Sequence, residues 1–193
     1  METTVTKKSE HRYASADPSE IRFSCPDAMR VEKDSNSAIR SLHAEVDAAV
    51  GPLTQRHAGR LRCGRGCHEC CVDELTVSAA EAERIRREYP GVLKEEAGAT
   101  GSCAFLGGEG ECRVYEARPY VCRTQGLPLR WFGEHDGQVV ELRDICPLND
   151  IASDEPLESL DADDCWLLGP VEGKLAMLSG ASQRVPLRGM FHG

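Results

Sequence analysis

The chain is poor in aromatic side chains: ten of 193 residues, or 5%, are Phe, Tyr or Trp. A small domain so built lacks most of the large groups that usually fill a core, so something besides packing is expected to help hold it. No apolar run reaches 18 residues, which leaves no membrane-spanning helix to expect. The opening Met1–Glu10 has no apolar stretch and carries two acids, unlike a secretory signal, so the expected location is the cytoplasm, where thiols stay reduced. Basic residues are scarce between 134 and 164, where eleven acids face Arg143 alone. With a formal net charge of -9, no nucleic-acid partner is expected, because phosphate backbones are bound mainly by clustered Lys and Arg. The acidic stretch also lacks the Asp-x-Asp-x-Asp-Gly spacing of a calcium loop, so it reads as a solvated connector. Nothing resembles a Ser-His-Asp set, a phosphate-cradling glycine loop, a His-Glu-x-x-His zinc site or a dinucleotide fingerprint.

What the chain does have is cysteine. Ten are present, and eight of them fall within the 84 residues from Cys63 to Cys146. A hydrophobic content of 40% and 18 glycines excludes collagenous, fibrous and wholly disordered chains.

The pattern predicts three segments. Residues 1–34 are polar and interrupted by Asp17-Pro18 and Cys25-Pro26, and are expected to form an irregular arm. Residues 35–150 hold the cysteine-cluster domain, and residues 151–193 an acidic connector followed by a helix around Val171–Ser179. Ala38, Ile39, Leu42, Val46, Ala49 and Val50 recur at helical spacing, with Ser35 or Ser37 as the expected cap and Gly51-Pro52 as the expected break. Helix is expected to resume over Leu53–Leu61. Ser78-Ala-Ala-Glu81 is a capping-box pattern opening a helix to about Tyr89. Hairpins are expected around Gly107-Gly-Glu-Gly110 and around Glu134-His-Asp-Gly137, and Pro119 suits the first turn of a short helix carrying Cys122. The expected fold class is therefore mainly α with short β-hairpins, a small cysteine-rich domain stabilised by metal.

The first cluster reads Cys63-Gly-Arg-Gly-Cys67-His-Glu-Cys70-Cys71. Thiolates suit both zinc and iron, and short glycine-containing spacings let a loop wrap an ion. Adjacent side chains diverge, which makes Cys70 and Cys71 hard to aim at one ion and suited to different sites. Cys103, Cys112, Cys122 and Cys146 complete a set of eight, enough for two four-thiolate sites or for one iron–sulfur cluster with spare cysteines. Disulfides are the alternative for an even count, disfavoured in a reducing compartment. The Cys63-x3-Cys67-x2-Cys70 spacing also equals that of radical S-adenosylmethionine enzymes, but the barrel strand that precedes that motif is missing here. Arg56, Arg60, Arg62 and Arg65 surround Cys63, while Arg113, Arg118 and Arg123 surround Cys112 and Cys122, where guanidinium groups are placed to offset thiolate charge. His68, inside the cluster, reads as a surface histidine. His43, His57, His135, Trp131 and Trp166 read as packing or surface residues, and Cys25 and Cys165 as free thiols.

Taken in order, these fragments resemble the CxxCxxCC-type zinc- or iron-chelating domain family, also called YkgJ-like cysteine cluster proteins. The resemblance is carried by Cys63–Cys71, by Cys103-Ala-Phe-Leu106, by Cys112-Arg-Val-Tyr-Glu-Ala-Arg-Pro-Tyr-Val-Cys-Arg123 with the following Thr-Gln-Gly-Leu-Pro128, and by Cys146-Pro-Leu-Asn149. It spans about residues 38–150. It implies that the eight cysteines bind zinc, iron or an iron–sulfur cluster, with metal ions as the expected partners and no generally established reaction. A related cysteine arrangement in flagellin lysine N-methylases makes the alternative an iron–sulfur-dependent enzyme that modifies a protein side chain.

Overall fold

The computed structural model describes residues 26–180 and 184–192, with side chains from residue 35 onward among the first of these. Helix α1, Pro26–Arg56, buries Ile39, Leu42 and Val46 on one face, the three- and four-residue spacing that periodicity requires. It starts at a proline, which suits a first helical turn, and so runs straight through Ser35 and Ser37, where a cap was expected. It also continues across Gly51-Pro52 to Arg56. Proline removes one helical N–H, a local cost that the ties beyond it offset: Arg56 pairs with Asp164, and His57 Nε2 lies 2.7 Å from the Asp164 carbonyl oxygen. Helical structure then gives way to turns before Leu61.

Strand β1, Thr76–Ser78, leads into α2, Ala79–Glu88. The expected capping box is present, with the Ser78 hydroxyl accepting from Glu81 N and the Glu81 carboxylate accepting from Ser78 N. A five-residue helix α3, Tyr120–Thr124, follows Pro119 and carries Cys122. Strands β2, Leu129–His135, and β3, Gln138–Asp144, form the second expected hairpin, closed by Asp136 (φ 51°) and Gly137 (φ 74°). Two left-handed residues in a two-residue loop match the right-handed twist of the strands. The first expected hairpin is reduced to a single antiparallel bridge, Leu106 with Cys112. Helix α4, Pro147–Asp150, strand β4, Trp166–Leu167, helix α5, Pro170–Leu178, and strand β5, Arg184–Pro186, complete the order.

The fold is mixed α/β, which corrects the expectation of a mainly α domain: among the described residues five α-helices stand beside five strands in two small sheets. Leu75-Thr76-Val77 reads as a short extended piece and becomes part of β1, whereas β4 and β5 are two and three residues long, too short to show a period of two, and their partners are distant in sequence. β1 pairs antiparallel with β5, and β4 adds to β2 in parallel, held by Trp166 N donating to Pro128 O and Leu168 N to Arg130 O, each at 2.8 Å.

Among the described residues, three apolar clusters form the interior. The first joins α2 to the cysteine hairpin and the C-terminal turn through Ile85, Phe105, Val114, Leu187 and Phe191; Phe105 and Phe191 lie 5.0 Å apart, centroid to centroid. Each of these two phenylalanines contributes about 1.5–3 kcal/mol by burial, so the few aromatics are spent where the cysteine segment meets the rest. The second packs α1 against Tyr120 and Leu175. The third, Ile145, Leu157, Leu160 and Cys165, pins down the acidic segment, whose carbonyls at Leu157 and Leu160 accept from Arg143.

Candidate metal centre

Cys63, Cys67, Cys70 and Cys71 lie on one loop with two tight turns, Cys67 N bonded to Gly64 O at 3.0 Å and Cys71 N to His68 O at 2.8 Å. The end of this loop is sewn to the next cysteine segment: Cys103 N donates to Cys71 O at 2.8 Å, and Val72 bridges Ser102. Arg188 secures that junction, with Nε on the Asp73 carboxylate at 2.8 and 3.1 Å and its other nitrogens on the carbonyls of Gly98, Ala99 and Ser102. The Leu106–Cys112 bridge then brings Cys112 back toward Cys103, and both pack against the first apolar cluster.

The start of the loop is held by Asn149, which is fully buried. Its Oδ1 accepts Arg62 N at 2.8 Å, its Nδ2 donates to Gly126 O at 2.7 Å and to Cys63 Sγ at 3.4 Å, and its backbone N–H donates to Cys146 O at 2.8 Å. One residue thus ties Cys63, through its side chain, to the Cys146 turn, through its backbone. Gly126 (φ +93°) approaches so closely that a Cβ there would lie 2.5 Å from Cys63 Sγ. Only glycine fits, on both conformational and steric grounds.

Cys122 is seated from below. Glu81, buried on α2, accepts the Tyr120 N–H at 2.7 Å and faces His43 Nε2 at 3.3 Å. Arg84 Nη1 lies 2.6 Å from His43 Nδ1, and since arginine only donates, the imidazole is neutral with its proton on Nε2, directed at Glu81. Arg123 pairs with Asp47 and donates to Arg118 O and Glu116 O.

The thiols feel one another. Burial pushes Cys63 up, and the charges of Cys67, Cys146 and Cys70 push it further, against the Asn149 hydrogen bond. Cys122 is pushed up to about 12, first by desolvation and then by Cys103, Cys112, Cys70 and Glu81. Its surface is nonetheless open to solvent. Desolvation raises Cys103, and desolvation followed by Cys103 among other groups raises Cys112. Cys70 is drawn down to about 6 by a hydrogen bond from Cys71, which is driven up in turn and also feels Cys103 and Cys122. Mutually repelling sulfurs are the environment a thiophilic cation relieves. Among the described residues, no three Cys, His, Asp or Glu side chains stand in coordinating geometry about one point. The donor chemistry fits zinc or iron, and the Gly126 contact leaves the Cys63 sulfur its place.

Other expected residues fall elsewhere. Cys165 lies in the third apolar cluster, where its neighbouring charges are Arg143, Glu141, Arg130 and Asp164. Cys25 lies outside the described residues. His68 is exposed, with Nδ1 2.9 Å from Gly66 O. The arginines serve mainly as backbone clamps: Arg60 reaches Glu155 O, Arg62 reaches Gly59 O and Ala152 O, and Arg113 reaches Ala104 O. Arg118 pairs with Asp47 and lies 4.3 Å from the Tyr115 ring centroid, with its field on Cys112 a lesser influence.

Residues 62–147 match the CxxCxxCC family model, described as a putative zinc- or iron-chelating domain. The match begins one residue before Cys63 and ends one after Cys146, so the CxxCxxCC segment contains all eight clustered cysteines and excludes Cys165. Neither the curated proteins nor the solved structures contain a match to this chain. Asn149 and Gly126 lie in stretches that carry the sequence resemblance, yet only their three-dimensional contacts give them a task. Glu81 and His43 carried no chemical signal beyond the capping box.

Proposed function

We propose that the CxxCxxCC segment is a cytoplasmic metal centre in which Cys63, Cys67, Cys70, Cys71, Cys103, Cys112, Cys122 and Cys146 hold zinc or iron, the latter as an iron–sulfur cluster, for structural, metal-handling or electron-transfer use. The observation that carries this reading is the tying of separate cysteine segments to one another, Cys71 to Cys103 by a backbone hydrogen bond and Cys63 to the Cys146 turn through Asn149, while Cys165 packs in a separate apolar cluster. Metal would lower the thiol pKa values, release their protons and join segments that the modest core joins only in part. Among the described residues, no helix is long and apolar enough to cross a membrane. An enzyme acting on a protein side chain would need a pocket beside the sulfurs. A surface cavity of about 380 Å³ is lined by Ser102, Leu106, Glu111 and Arg113, which flank Cys103 and Cys112.

Separate replacement of Cys112 and Cys165 by serine tests the assignment. Bound metal falls in Cys112→Ser and is retained in Cys165→Ser; the reverse pattern would overturn the ligand set.

A further inference from the structure

The hairpin of β2 and β3 is a ribbon that the rest of the chain scarcely covers. β4 pairs with β2 only at Leu129 and Arg130, so from Trp131 onward two strands stand alone. On the far side of β3 there is, among the described residues, no further strand. Two-stranded ribbons are marginal in water, and the apolar side chains of this one lie outside all three apolar clusters. Phe132 is 59% and Val139 77% exposed, and Leu142 is exposed beside half-buried Val140.

The register fixes which backbone groups are open. Leu168 N donates to Arg130 O, so Arg130 turns its backbone toward β4 and away from its cross-strand partner Arg143. Antiparallel pairs alternate between bonded and unbonded, which leaves Glu141 and Val139, in phase with Arg143, presenting N–H and C=O to the open edge. Such an edge is a template for one more strand.

Charge selects what can lie there. Arg130 and Arg143 are turned onto Glu141 and onto the carbonyls of Ala162, Leu157 and Leu160. Glu134, Asp136 and Asp144 remain exposed, so the ribbon shows solvent mainly negative charge. Two copies of this edge brought together would repel. A basic chain is attracted instead, and long basic side chains also cover apolar surface with their stems. The two faces call for different residues, since Val140 and Leu142 share one face while Val139 shares the other with Glu134 and Glu141.

We infer that the open edge of β3 receives an extended basic segment of a partner protein as an added antiparallel strand, with apolar residues beside Val140 and Leu142 and lysines or arginines beside Val139 and Glu141. β3 ends at Asp144, two residues before Cys146, so the partner lies next to the cysteine segment.

The test uses the full chain and a fluorescent octapeptide of alternating lysine and valine. This peptide binds, an alternating glutamate–valine peptide binds about tenfold more weakly or worse, and the Val139 and Glu141 amides gain protection from hydrogen exchange by NMR. In the antiparallel arrangement the lysine amides face β3 and the valine amides face away. N-methylation of the lysines therefore abolishes binding and N-methylation of the valines does not, an arm that needs no protein variant. Val139→Pro, which removes an outward N–H and no ladder bond, weakens binding by about tenfold or more with the circular dichroism spectrum unchanged. Equal binding of the acidic peptide, binding that survives lysine N-methylation, or no binding at about 1 mM peptide would overturn the inference. A dimer of the parent chain that Val139→Pro abolishes would assign the edge to a second copy and overturn it as well.

Discussion

The Glu81 carboxylate accepts the backbone N–H of Tyr120 at 2.7 Å, so the helix that presents Cys122 rests on a buried charge from another helix. The same carboxylate binds Ser78 and His43. Glu81→Ala would strand several buried donors at once, and a loss of about 3–5 kcal/mol is expected. Urea unfolding of the loaded protein measures it. Bound metal should fall with it, because Cys122 loses its seat.

Acid sensitivity follows from His43. Burial pushes its pKa below the ordinary 6.5, assisted by Arg123 and Arg84 and opposed by Glu81. Below pH 6.5 the unfolded chain therefore takes up a proton that the folded chain refuses, and stability is lost as pH falls. Glu81 adds to the loss lower down: desolvation pushes its carboxyl up, but hydrogen bonds from His43, Tyr120 and Ser78 hold it below the usual 4.5. Its stabilisation disappears as pH falls from 4.5 through that lowered value. In His43→Gln the decline between pH 6.5 and 4.5 should flatten relative to the parent chain, measured as unfolding free energy against pH. An unchanged slope would remove His43 from the account.

Gly126→Ala puts a Cβ 2.5 Å from Cys63 Sγ and 3.2 Å from Asn149 Nδ2, at a φ of +93°. Displacement of Cys63 is expected, with a fall in bound metal. Asn149→Ala should act in the same direction by freeing Cys63 from Cys146, at a cost of about 1–3 kcal/mol for the buried groups left unpaired. Metal content and protection of Cys112 from alkylation check both.

Arg188 secures the junction of the Cys71 and Cys103 segments without touching a sulfur. Arg188→Ala releases Asp73 and the carbonyls of Gly98, Ala99 and Ser102, and a destabilisation of about 2–3 kcal/mol is expected. Lysine lacks the fork and should recover little of it. The Asp73 carboxyl, held at about 2 mainly by Arg188, should return toward its usual range, a change visible by NMR titration.

Much of the cysteine segment was legible because its signals are local. Cysteine spacing, the Ser78–Glu81 box and the Asp136-Gly137 turn each lie within a few residues, and each appears where the pattern placed it. What the sequence concealed depends on distant pairings. β1 meets β5 more than a hundred residues on, and β4 joins β2 through two residues, so neither pairing leaves a periodic trace. Helix α1 crosses Pro52 because the chain beyond is anchored to Asp164, a contact no propensity encodes. Asn149 reads as one polar residue in a turn until its amide is found to span the chain to Arg62 and Gly126. Likewise, the arginines near cysteines suggested charge balance, whereas most of them close backbone carbonyls.

The most direct measurement is metal and acid-labile sulfide analysis, with an absorption spectrum, of the full chain purified without oxygen. The account predicts bound zinc in a colourless protein, or iron with sulfide in a brown one, and in either case loss of that metal when Cys112 is replaced. A folded protein free of zinc and iron, whose eight clustered thiols stay equally open to alkylation after either metal is added, would contradict it.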